Sequence, residues 1–361
     1  MPRSSGSRIG RAFAGAALTL TAVVGVGYVA TASDQPSSVA AVSRQATSTS
    51  ARTTGGSSAA SDSFSQVPVV ARKLQPSVVT IQTDSGLGSG VVWSADGLIV
   101  TDAHVVGSSK TVQVIFVDGT QVNATVKATD DVTDLAVVQA DRTGLTPAKF
   151  VTKPPQLGDL AVVIGSPLGF TNSVTAGVIS GEDREIPGSA SQTQSLVGLI
   201  QTDAAVSPGN SGGALANGAA GVTGIVEAYI PPSAGAVSLG FAIPASTVVD
   251  IAKQLIANGK ATHAYLGVAS IAITPDIQQQ LGLSTSKGVA LQQVAANSPA
   301  ANAGLKTGDV IVDVDGQPIT SPEDLLAVLR KHQPGDKITV TYIRNGQKAT
   351  ADVTLADRPS K

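Results

Sequence analysis

The sequence predicts a mostly β protein with two folded parts, which follow an apolar segment and a polar linker. Short runs of Val, Ile and Thr between turn residues recur over residues 64–260, and no convincing helix interrupts them before residue 246. Over residues 264–357, strand, helix and strand signals follow one another and indicate a second folded region with both α and β elements. Residues 12–32 form an apolar run of about the length that crosses a bilayer.

The composition excludes several classes of function. The 361 residues carry a net charge of -2 and only 3% aromatic residues, so we expect no nucleic acid partner. Cysteine is absent from the sequence, which excludes disulfides, thiolate zinc sites and cysteine nucleophiles. The three histidines, His104, His263 and His332, are widely spaced, so we expect no metal site and no cofactor, and the last two histidines are expected at the surface.

The N-terminus has the pattern of an exported protein. Three arginines precede the apolar segment 12–32, which predicts that residues 1–11 are cytoplasmic and that the remainder is outside the cell. Two interpretations stay open: a single-pass anchor in the cell membrane, or a signal peptide cleaved after Ala32, which would give a secreted protein. Residues 33–63 are rich in Ser, Thr, Ala and Gly and predict a disordered linker.

The strands of residues 64–260 predict a sandwich or a barrel. A hairpin is indicated where the apolar run 112–117 meets Asp118-Gly119. The one convincing helix covers residues 246–259, where apolar residues recur at helical spacing and Gly259 can end the helix. Many short strands without alternating helices are typical of all-β architectures.

A serine flanked by glycines, Ser211 in the run Gly209-Asn210-Ser211-Gly212-Gly213, is the candidate nucleophile. Glycines permit a sharp turn that exposes the hydroxyl and lets a substrate backbone approach. Neighbouring N–H groups can then form an oxyanion hole. The same run is also compatible with an ordinary Gly-rich hairpin loop.

A serine nucleophile needs a base, and His104 is the single histidine of this part of the chain. Asp134 opens an apolar strand, where a side chain can be held rigidly beside a cleft, and is the candidate to orient the base. Asp130 and Asp131 are rivals on spacing alone, and any of the three would also fit a solvated turn.

Six motifs in order resemble the HtrA family of envelope serine proteases, a branch of the chymotrypsin-like fold. The matching stretches are residues 88–92, 101–106, 133–137, 165–169, 201–213 and 240–244. The resemblance implies a double six-stranded β-barrel over residues 64–260, with the site in the cleft between the barrels. It also implies a homotrimer of protease domains, with the segment near Phe64 as the candidate contact.

The resemblance implies that Ser211 is the nucleophile, that His104 is the general base and then the acid, and that Asp134 holds the imidazole tautomer. The N–H groups of Gly209 and Ser211 would form the oxyanion hole, with Asn210 between them. Digestive relatives carry an acid beside the nucleophile that pairs with a newly cut N-terminus. Because Asn210 has no charge, we expect the polar loop 182–194 to be the activating element instead.

The resemblance also locates the pocket for the substrate side chain before the cut. Six positions before the nucleophile stands Ala205, with aliphatic Val206, Ile225 and Val226 as candidate walls. Arg or Lys would lose hydration there without a counter-charge, so we expect small to medium aliphatic side chains. Glu227 is the one nearby charge; it either faces outward at the end of its strand or turns inward and attracts a basic residue.

Residues 264–357 resemble a PDZ domain. In this family a loop matching Leu266-Gly267 captures a peptide carboxylate through backbone N–H groups, and the peptide adds to the strand after Val268. Ser321-Pro322 predicts the start of the helix that covers the peptide. The residues expected to bind peptide are Tyr265, Leu266, Gly267, Val268, Leu325, Leu326 and Leu329.

These motifs predict a serine endopeptidase of the cell envelope that cleaves unfolded or damaged proteins through an acyl-enzyme. One alternative is a peptide-binding or chaperone-like protein with little proteolysis, but an inert copy would be expected to have lost a member of the triad. Another is an esterase of the α/β-hydrolase type, since the Gly-x-Ser-x-Gly pattern is met. That fold needs Asp and His after the serine and alternating helices, which this sequence lacks in its first folded part.

Overall fold

The computed structural model of the protein describes residues 63–84, 86–166, 173–186, 195–230, 239–280 and 282–359, without the side chains of 228–230. The expected cytoplasmic segment 1–11, the expected membrane segment 12–32 and all but the last residue of the expected linker lie outside these ranges, as does the larger part of loop 182–194. Among the helices that are described, none is long and apolar enough to span a bilayer.

The first barrel closes from six strands. They are β1 (Val78–Thr83), β2 (Gly86–Val92), β3 (Leu98–Asp102), β4 (Thr111–Ile115), β5 (Gln121–Asp130) and β6 (Leu135–Ala140). Their order around the barrel is β1-β2-β3-β6-β5-β4, and all neighbours are antiparallel. In β4, buried Val112 and Val114 flank exposed Gln113, which is the two-residue period of a strand with one face in the core.

The second barrel also closes from six antiparallel strands. They are β7 (Leu160–Gly165), β8 (Ser173–Ile186), β9 (Leu196–Thr202), β10 (Ala214–Ala216), β11 (Val222–Ile230) and β12 (Leu239–Pro244). Their order is β10-β11-β12-β9-β8-β7. The two closed barrels confirm the mostly β, chymotrypsin-like fold class.

Among the described residues, three α-helices accompany the barrels: α1 (Val67–Leu74), α2 (Ala103–Val106) and α3 (Ala245–Asn258). Single-turn 3₁₀ helices, Ser63–Gln66 and Gln75–Ser77, flank α1. The prediction of a helix at 246–259 is confirmed to within a residue, and Gly259 ends α3 with φ 69°. The expectation of no helix before residue 246 is wrong, because α1, although rich in β-branched residues, is stabilised by burial of Val70 and Leu74.

The largest buried cluster joins the two barrels. It contains Val91 and Val100 from the first barrel, Ile164 and Phe241 from the second, and the buried face of α3. Each barrel also has a smaller cluster of its own. The cleft between the barrels therefore rests on a shared apolar core, which holds residues from both sides at fixed distances.

The remaining residues form the predicted α+β part, with a separate apolar cluster. Its strands are β13 (Ala264–Tyr265), β14 (Val268–Ala272), β15 (Val289–Val294), β16 (Val310–Val314), β17 (Gln317–Pro318), β18 (Lys337–Arg344), β19 (Gln347–Thr354) and β20 (Ala356–Asp357). Its helices are α4 (Pro275–Gln280), α5 (Pro299–Asn302) and α6 (Pro322–Leu329). As predicted, Ser321 caps α6, in a capping box with Asp324. Among the described strands, β14 forms one edge of the main sheet, whose order is β14-β15-β16-β18-β19.

Candidate active site

His104 lies on α2, directly after β3, and Asp134 lies directly before β6, the strand that pairs with β3. The backbone N–H of His104 donates to Oδ1 of Asp134 at 2.8 Å, and the ring Nδ1 lies 2.7 Å from Oδ2. The backbone N–H of Ala103 donates to the carbonyl oxygen of Asp134 at 2.9 Å. These contacts fix the orientation of the imidazole through both oxygens of one buried carboxylate.

The turn that carries Asp134 is strained at that residue. Asp134 has φ 56°, a left-handed conformation that side chains other than glycine rarely adopt. Such conformations persist where surrounding contacts hold them, and they are common at functional sites. The rival acids are directed elsewhere: Asp131 is exposed, and the carboxylate of Asp130 bonds to Thr133 and to the ring of His263. Of the three acids, the structure brings Asp134 to His104.

The protonation of His104 is set by opposing effects. Burial alone would lower the pKa of His104, since an apolar site disfavours the charged ring. The hydrogen bond and the negative charge of Asp134, together with Glu227, outweigh burial, and the pKa of His104 is raised. The ring can therefore accept a proton and hold it as a stabilised imidazolium.

Ser211 lies on a tight turn directly before β10. Gly209 and Gly212 adopt φ 99° and φ 82°, and any side chain at residue 212 would collide with the carbonyl oxygen of Ser89. Only glycine fits such a position without strain. The two glycines thus determine how the backbone presents Ser211.

Ser89, in β2 of the first barrel, stabilises this turn of the second barrel through two hydrogen bonds. Its N–H donates to the carbonyl of Ser211 at 2.7 Å, and its hydroxyl donates to the carbonyl of Gly209 at 2.6 Å. Thr101 in turn donates to the carbonyl of Ser89 at 2.6 Å. Ser89 was noted in the sequence only as part of a motif, and its bridging contacts explain why a small hydroxyl residue suits that position.

Two backbone donors of the turn are available to a substrate. The N–H of Asn210 donates to the carbonyl of Ser207 at 3.0 Å, and that of Gly213 donates to the carbonyl of Asn210 at 2.8 Å. Within the described part of the chain, the N–H groups of Gly209 and Ser211 have no acceptor. Unused donors on either side of Asn210 are what an oxyanion hole requires.

The hydroxyl of Ser211 does not bond to His104 in this structure. Its Oγ donates to the backbone carbonyl of Glu227 at 2.9 Å. No hydrogen bond between Ser211 and His104 is present among the described residues. The hydroxyl is therefore in a resting orientation, and catalytic hydrogen bonds of this kind often form only when substrate is bound.

Two further acids, Asp102 and Glu227, are buried beside this pair. Both are at most 1% exposed, and burial raises the pKa of each, with the negative charge of Asp134 adding to the effect. The pKa of Glu227 is raised to about 7. Of the two orientations that the sequence left open for Glu227, the outward-facing one is wrong; Glu227 was noted only as a charge near the pocket, and Asp102 was given no role.

His104, Asp134 and Glu227 present possible metal ligand atoms within 4.8 Å of one another. Both oxygens of Asp134 already bind His104, through its backbone and its ring. A metal ion would have to compete with these bonds, so we assign no metal to the cluster.

The residues expected to form the specificity pocket are only partly brought together. Ala205 is exposed, and its carbonyl accepts a hydrogen bond from Thr175 at 2.7 Å. Val206 packs against the cluster that contains Val226. Ile225 belongs to the large cluster shared by the two barrels, because successive residues of a strand face opposite sides. We therefore leave Ile225 out of the proposed pocket.

Leu266 and Gly267, two of the residues expected to bind peptide, lie between β13 and β14. The carbonyls of Leu266 and Gly267 accept N–H groups of Ala300 and Ala295, whereas their own N–H groups donate to no other described group. Gly267 has φ 87°. Tyr265 and Val268 are half-buried, on β13 and β14.

The helix α6 contributes differently from what the sequence suggested. Leu325 and Leu329 are buried in the apolar cluster beneath the sheet. Leu326 instead lines a cavity of about 310 Å³ together with Val132 and Ile251 of the first part. Successive residues of a helix point about 100° apart and Leu325 already faces the core, so we leave Leu326 out of the proposed peptide site.

Two families match the chain. Residues 88–225 match the trypsin-like peptidase domain, and residues 264–355 match the PDZ domain. Among curated proteins, the serine protease Do-like HtrA of Lactobacillus helveticus is 40% identical, over 74% of this chain and 68% of that protein. A probable periplasmic serine endoprotease DegP-like of Pseudomonas fulva is 37% identical, over 76% of this chain. The chain spans 56% of the length of that DegP-like relative.

Solved structures agree with these matches. The HtrA-type protease AlgW, determined with a decapeptide, is 30% identical and has a TM-score of 0.67, over 81% of this chain and 98% of that one. The serine endoprotease from Yersinia pestis is 29% identical, with a TM-score of 0.61, over 82% of this chain and 98% of that one. The order of the motifs, the two barrels with a PDZ domain, and these relatives together show that the chain belongs to the HtrA family of serine proteases.

Proposed function

We propose that this protein is a serine endopeptidase in which Ser211 is the nucleophile, His104 the general base and acid, and Asp134 the residue that orients His104. The observation that carries the proposal is the two-point contact of Asp134 with His104, at 2.8 and 2.7 Å, beside a glycine turn with two unused N–H groups. Unfolded or damaged proteins are the proposed substrates, since an extended chain can enter the cleft between the barrels.

The reaction follows from the position of these groups. Oγ of Ser211 attacks the scissile carbonyl carbon while His104 takes the hydroxyl proton. Asp134 stabilises the imidazolium, and the N–H groups of Gly209 and Ser211 bind the oxyanion. His104 then gives its proton to the leaving amine, and water, activated by the same histidine, hydrolyses the acyl-enzyme and restores the serine.

Substrate binding explains how the resting hydroxyl becomes active. Beyond Val226, β11 has no partner on its β10 side among the described strands, so an open edge starts at Glu227. An extended substrate that adds to this edge offers an N–H to the carbonyl of Glu227. In the structure, that carbonyl accepts a hydrogen bond from the hydroxyl of Ser211. Competition from the substrate N–H would release the hydroxyl towards His104.

The direct experiment is hydrolysis of denatured casein by the full chain. Ser211→Ala removes the nucleophile and should abolish cleavage, a loss of several orders of magnitude in kcat. Ser108→Ala, at an exposed position four residues after His104, is the control and should cleave at the wild-type rate. Casein hydrolysis that persists in the Ser211→Ala variant would show that the site lies elsewhere.

For specificity, we propose a pocket that combines Ala205, Val206 and Val226. The aliphatic walls of Val206 and Val226 support a preference for Val, Ala, Ile or Leu before the cut. A side chain at residue 240 would approach Val206 closely, so Gly240 helps to keep the slot open. Discrimination among aliphatic side chains should be modest, because one methylene contributes only about 1–3 kcal/mol.

The PDZ domain is proposed to bind hydrophobic or C-terminal peptide segments between β14 and α6. The unused N–H groups of Leu266 and Gly267 support capture of a terminal carboxylate. Tyr265 and Val268 flank them, and the edge position of β14 leaves room for an added strand. The AlgW structure with a decapeptide shows that a related protease binds a peptide.

We propose that this domain modulates the protease through Arg330, which directly follows α6. Its guanidinium donates to the carbonyl of Val132 at 2.7 Å and to that of Ser195 at 3.2 Å. Val132 lies two residues before Asp134. The hydrogen bond from Arg330 to Val132 therefore connects the end of α6, beside the proposed peptide site, to the turn that orients His104. His263, expected at the surface, adds a contact at 2.8 Å with Asp130, the last residue of β5 before that turn.

Arg330→Ala in the full chain tests this connection. It should change the activation of casein cleavage by an added peptide with a hydrophobic C-terminus, since the tie to the turn is lost. Lys348→Ala, exposed on β19, is the control and should respond to the peptide as the wild type does. An identical response of the Arg330 variant and the wild type would show that the two sites are not coupled through this residue.

For localisation, we propose that the catalytic domain is extracytoplasmic, held in the cell membrane by residues 12–32 or secreted after their removal. The basic residues before the apolar run and the periplasmic DegP-like relatives support the orientation. Protease added to intact cells should cut the linker 33–63, and protection of the linker until lysis would contradict the proposal.

For the oligomeric state, we propose a homotrimer, which exposed Phe64 and Val69 support. Sedimentation equilibrium of the Phe64→Ser variant against the wild type tests this proposal.

A further inference from the structure

Glu227 reaches the active site because of an irregularity in β11. The register of β11 with β12 shifts between Val226 and Ala228, which makes Glu227 the extra residue of a β-bulge. A bulge redirects side chains and is common beside active sites. It breaks the alternation of the strand at this point, and the carboxyl of Glu227 is buried behind the cleft while its own carbonyl accepts the hydroxyl of Ser211.

The carboxyl of Glu227 lies beside that of Asp134, and burial together with this contact raises the pKa of Glu227. Both of its oxygens are buried and without a donor among the described residues. The titratable groups that face it are Asp102 from β3, His104 from α2 and Asp134 from the turn before β6, and neither lysine nor arginine is among them. A carboxylate oxygen of Glu227, one of Asp134 and a ring nitrogen of His104 all lie within 4.8 Å of one another.

Two carboxylates cannot both be ionised at low cost in such a site. An unpaired buried charge is strongly destabilised, and a neighbouring like charge adds to the penalty. Asp134 is the better anion, because it accepts hydrogen bonds from the backbone N–H of His104 and from its ring. The proton of the cluster therefore belongs on Glu227, where a carboxylic acid can donate to an oxygen of Asp134.

We propose that Glu227 is a positioning residue of the triad, whose protonated carboxyl donates a hydrogen bond to Asp134 and whose ionisation places a second negative charge beside His104. The inference rests on the proposed triad and names a residue outside it. Burial and the charge of Asp134 raise the pKa of Glu227 to about 7, which puts this ionisation close to neutral pH.

The sign of the effect on catalysis follows from electrostatics. Ionised Glu227 favours the imidazolium and so raises the pKa of His104. His104 accepts the proton of Ser211 only when it is neutral, so a higher pKa keeps the enzyme inactive up to a higher pH. Glu227→Gln removes the charge but keeps a donor for Asp134, and it should move the acid limb of kcat/KM down by about 0.5–2 pH units.

The pH dependence of kcat/KM on a fluorogenic peptide, measured with the full chain, separates the possible roles. Glu227→Gln should show the lower acid limb and a kcat at its optimum that lies closer to the wild-type value than that of Glu227→Leu. Glu227→Leu is the matched variant of similar volume, without charge or donor; it should show the same shift of the limb and a fall of kcat by about 10-fold or more at little change in KM. If both variants lower activity by one factor at every pH, Glu227 only fills space and the proposal is wrong.

A second measurement depends neither on activity nor on the Glu227 variants. NMR titration of the His104 ring in the Ser211→Ala protein should show two inflections, the second from ionisation of a neighbouring carboxyl. The other two histidines, assigned through His263→Gln and His332→Gln, serve as internal references. A single inflection for His104 would overturn the proposal, whereas failure of the proposed triad would instead appear as full activity in the Ser211→Ala variant.

Discussion

Replacing Asp134 with Asn tests the geometry on which the proposed mechanism depends. In the structure, Oδ1 of Asp134 accepts the backbone N–H of His104 at 2.8 Å, and Oδ2 lies 2.7 Å from the ring Nδ1. An asparagine of the same shape must keep an oxygen towards the backbone N–H, so its NH₂ group faces Nδ1. Nδ1 must then accept a hydrogen bond, which moves the ring proton to Nε2.

A ring protonated at Nε2 cannot take the proton of Ser211. The same Asp-to-Asn exchange in the triad of a chymotrypsin-like protease lowers kcat by about 10⁴-fold, which is equivalent to about 5.4 kcal/mol in the activation free energy. The loss of the negative charge also removes an interaction that raises the pKa of His104, so the residual activity should have its acid limb at lower pH. Folding should be preserved, since both contacts with the backbone of α2 can still form.

The assay is initial-rate hydrolysis of casein and of a short fluorogenic peptide over a pH series. Asp131→Asn is the matched control, because it makes the same change three residues earlier at an exposed position and should be fully active. Circular dichroism and the thermal midpoint confirm that both variants are folded. A folded Asp134→Asn enzyme with activity within 10-fold of the wild type would refute the assignment of Asp134.

Two further predictions concern the turn and the pocket. Gly212→Ala should destabilise the protein by about 1–3 kcal/mol from positive φ alone and further through collision with Ser89, and should abolish activity. Gly144→Ala, at φ 73° in open space, is the control, and thermal unfolding of the two variants isolates the collision. Ala205→Asp should shift cleavage of a denatured protein from Val, Ala, Ile or Leu towards Arg and Lys, as mapped by mass spectrometry. A dominant Arg or Lys signature already in the wild type would contradict the pocket assignment.

The strands and the nucleophile turn were predictable because local patterns determine them. Runs of β-branched residues between turns indicated the barrels, and glycines around Ser211 indicated a turn that only glycine can make. Closure into two barrels instead of a sandwich depends on pairings between distant strands, and it came from the family resemblance. The choice of Asp134 over Asp130 depends on a backbone conformation, φ 56°, that spacing does not encode.

The role of Glu227 could not be read from strand alternation. A strand with a strict two-residue period was compatible with an outward-facing residue at this position, and the bulge after Val226 breaks that period. Asp102 was likewise inside a recognised motif without a role, because its complete burial depends on tertiary packing. The cavity position of Leu326 could not be predicted for a related reason: which side of α6 meets the protease domain is a property of tertiary packing.

The central claim, that Ser211 is an activated nucleophile, is tested most directly by a fluorophosphonate followed by peptide mass spectrometry. The reagent forms a stable adduct only with a serine that a neighbouring base and an oxyanion hole activate. We expect one adduct per chain, on the peptide that contains Ser211, and its loss when His104 is replaced by Ala. An unlabelled wild-type protein, or an adduct on another serine, would contradict the account.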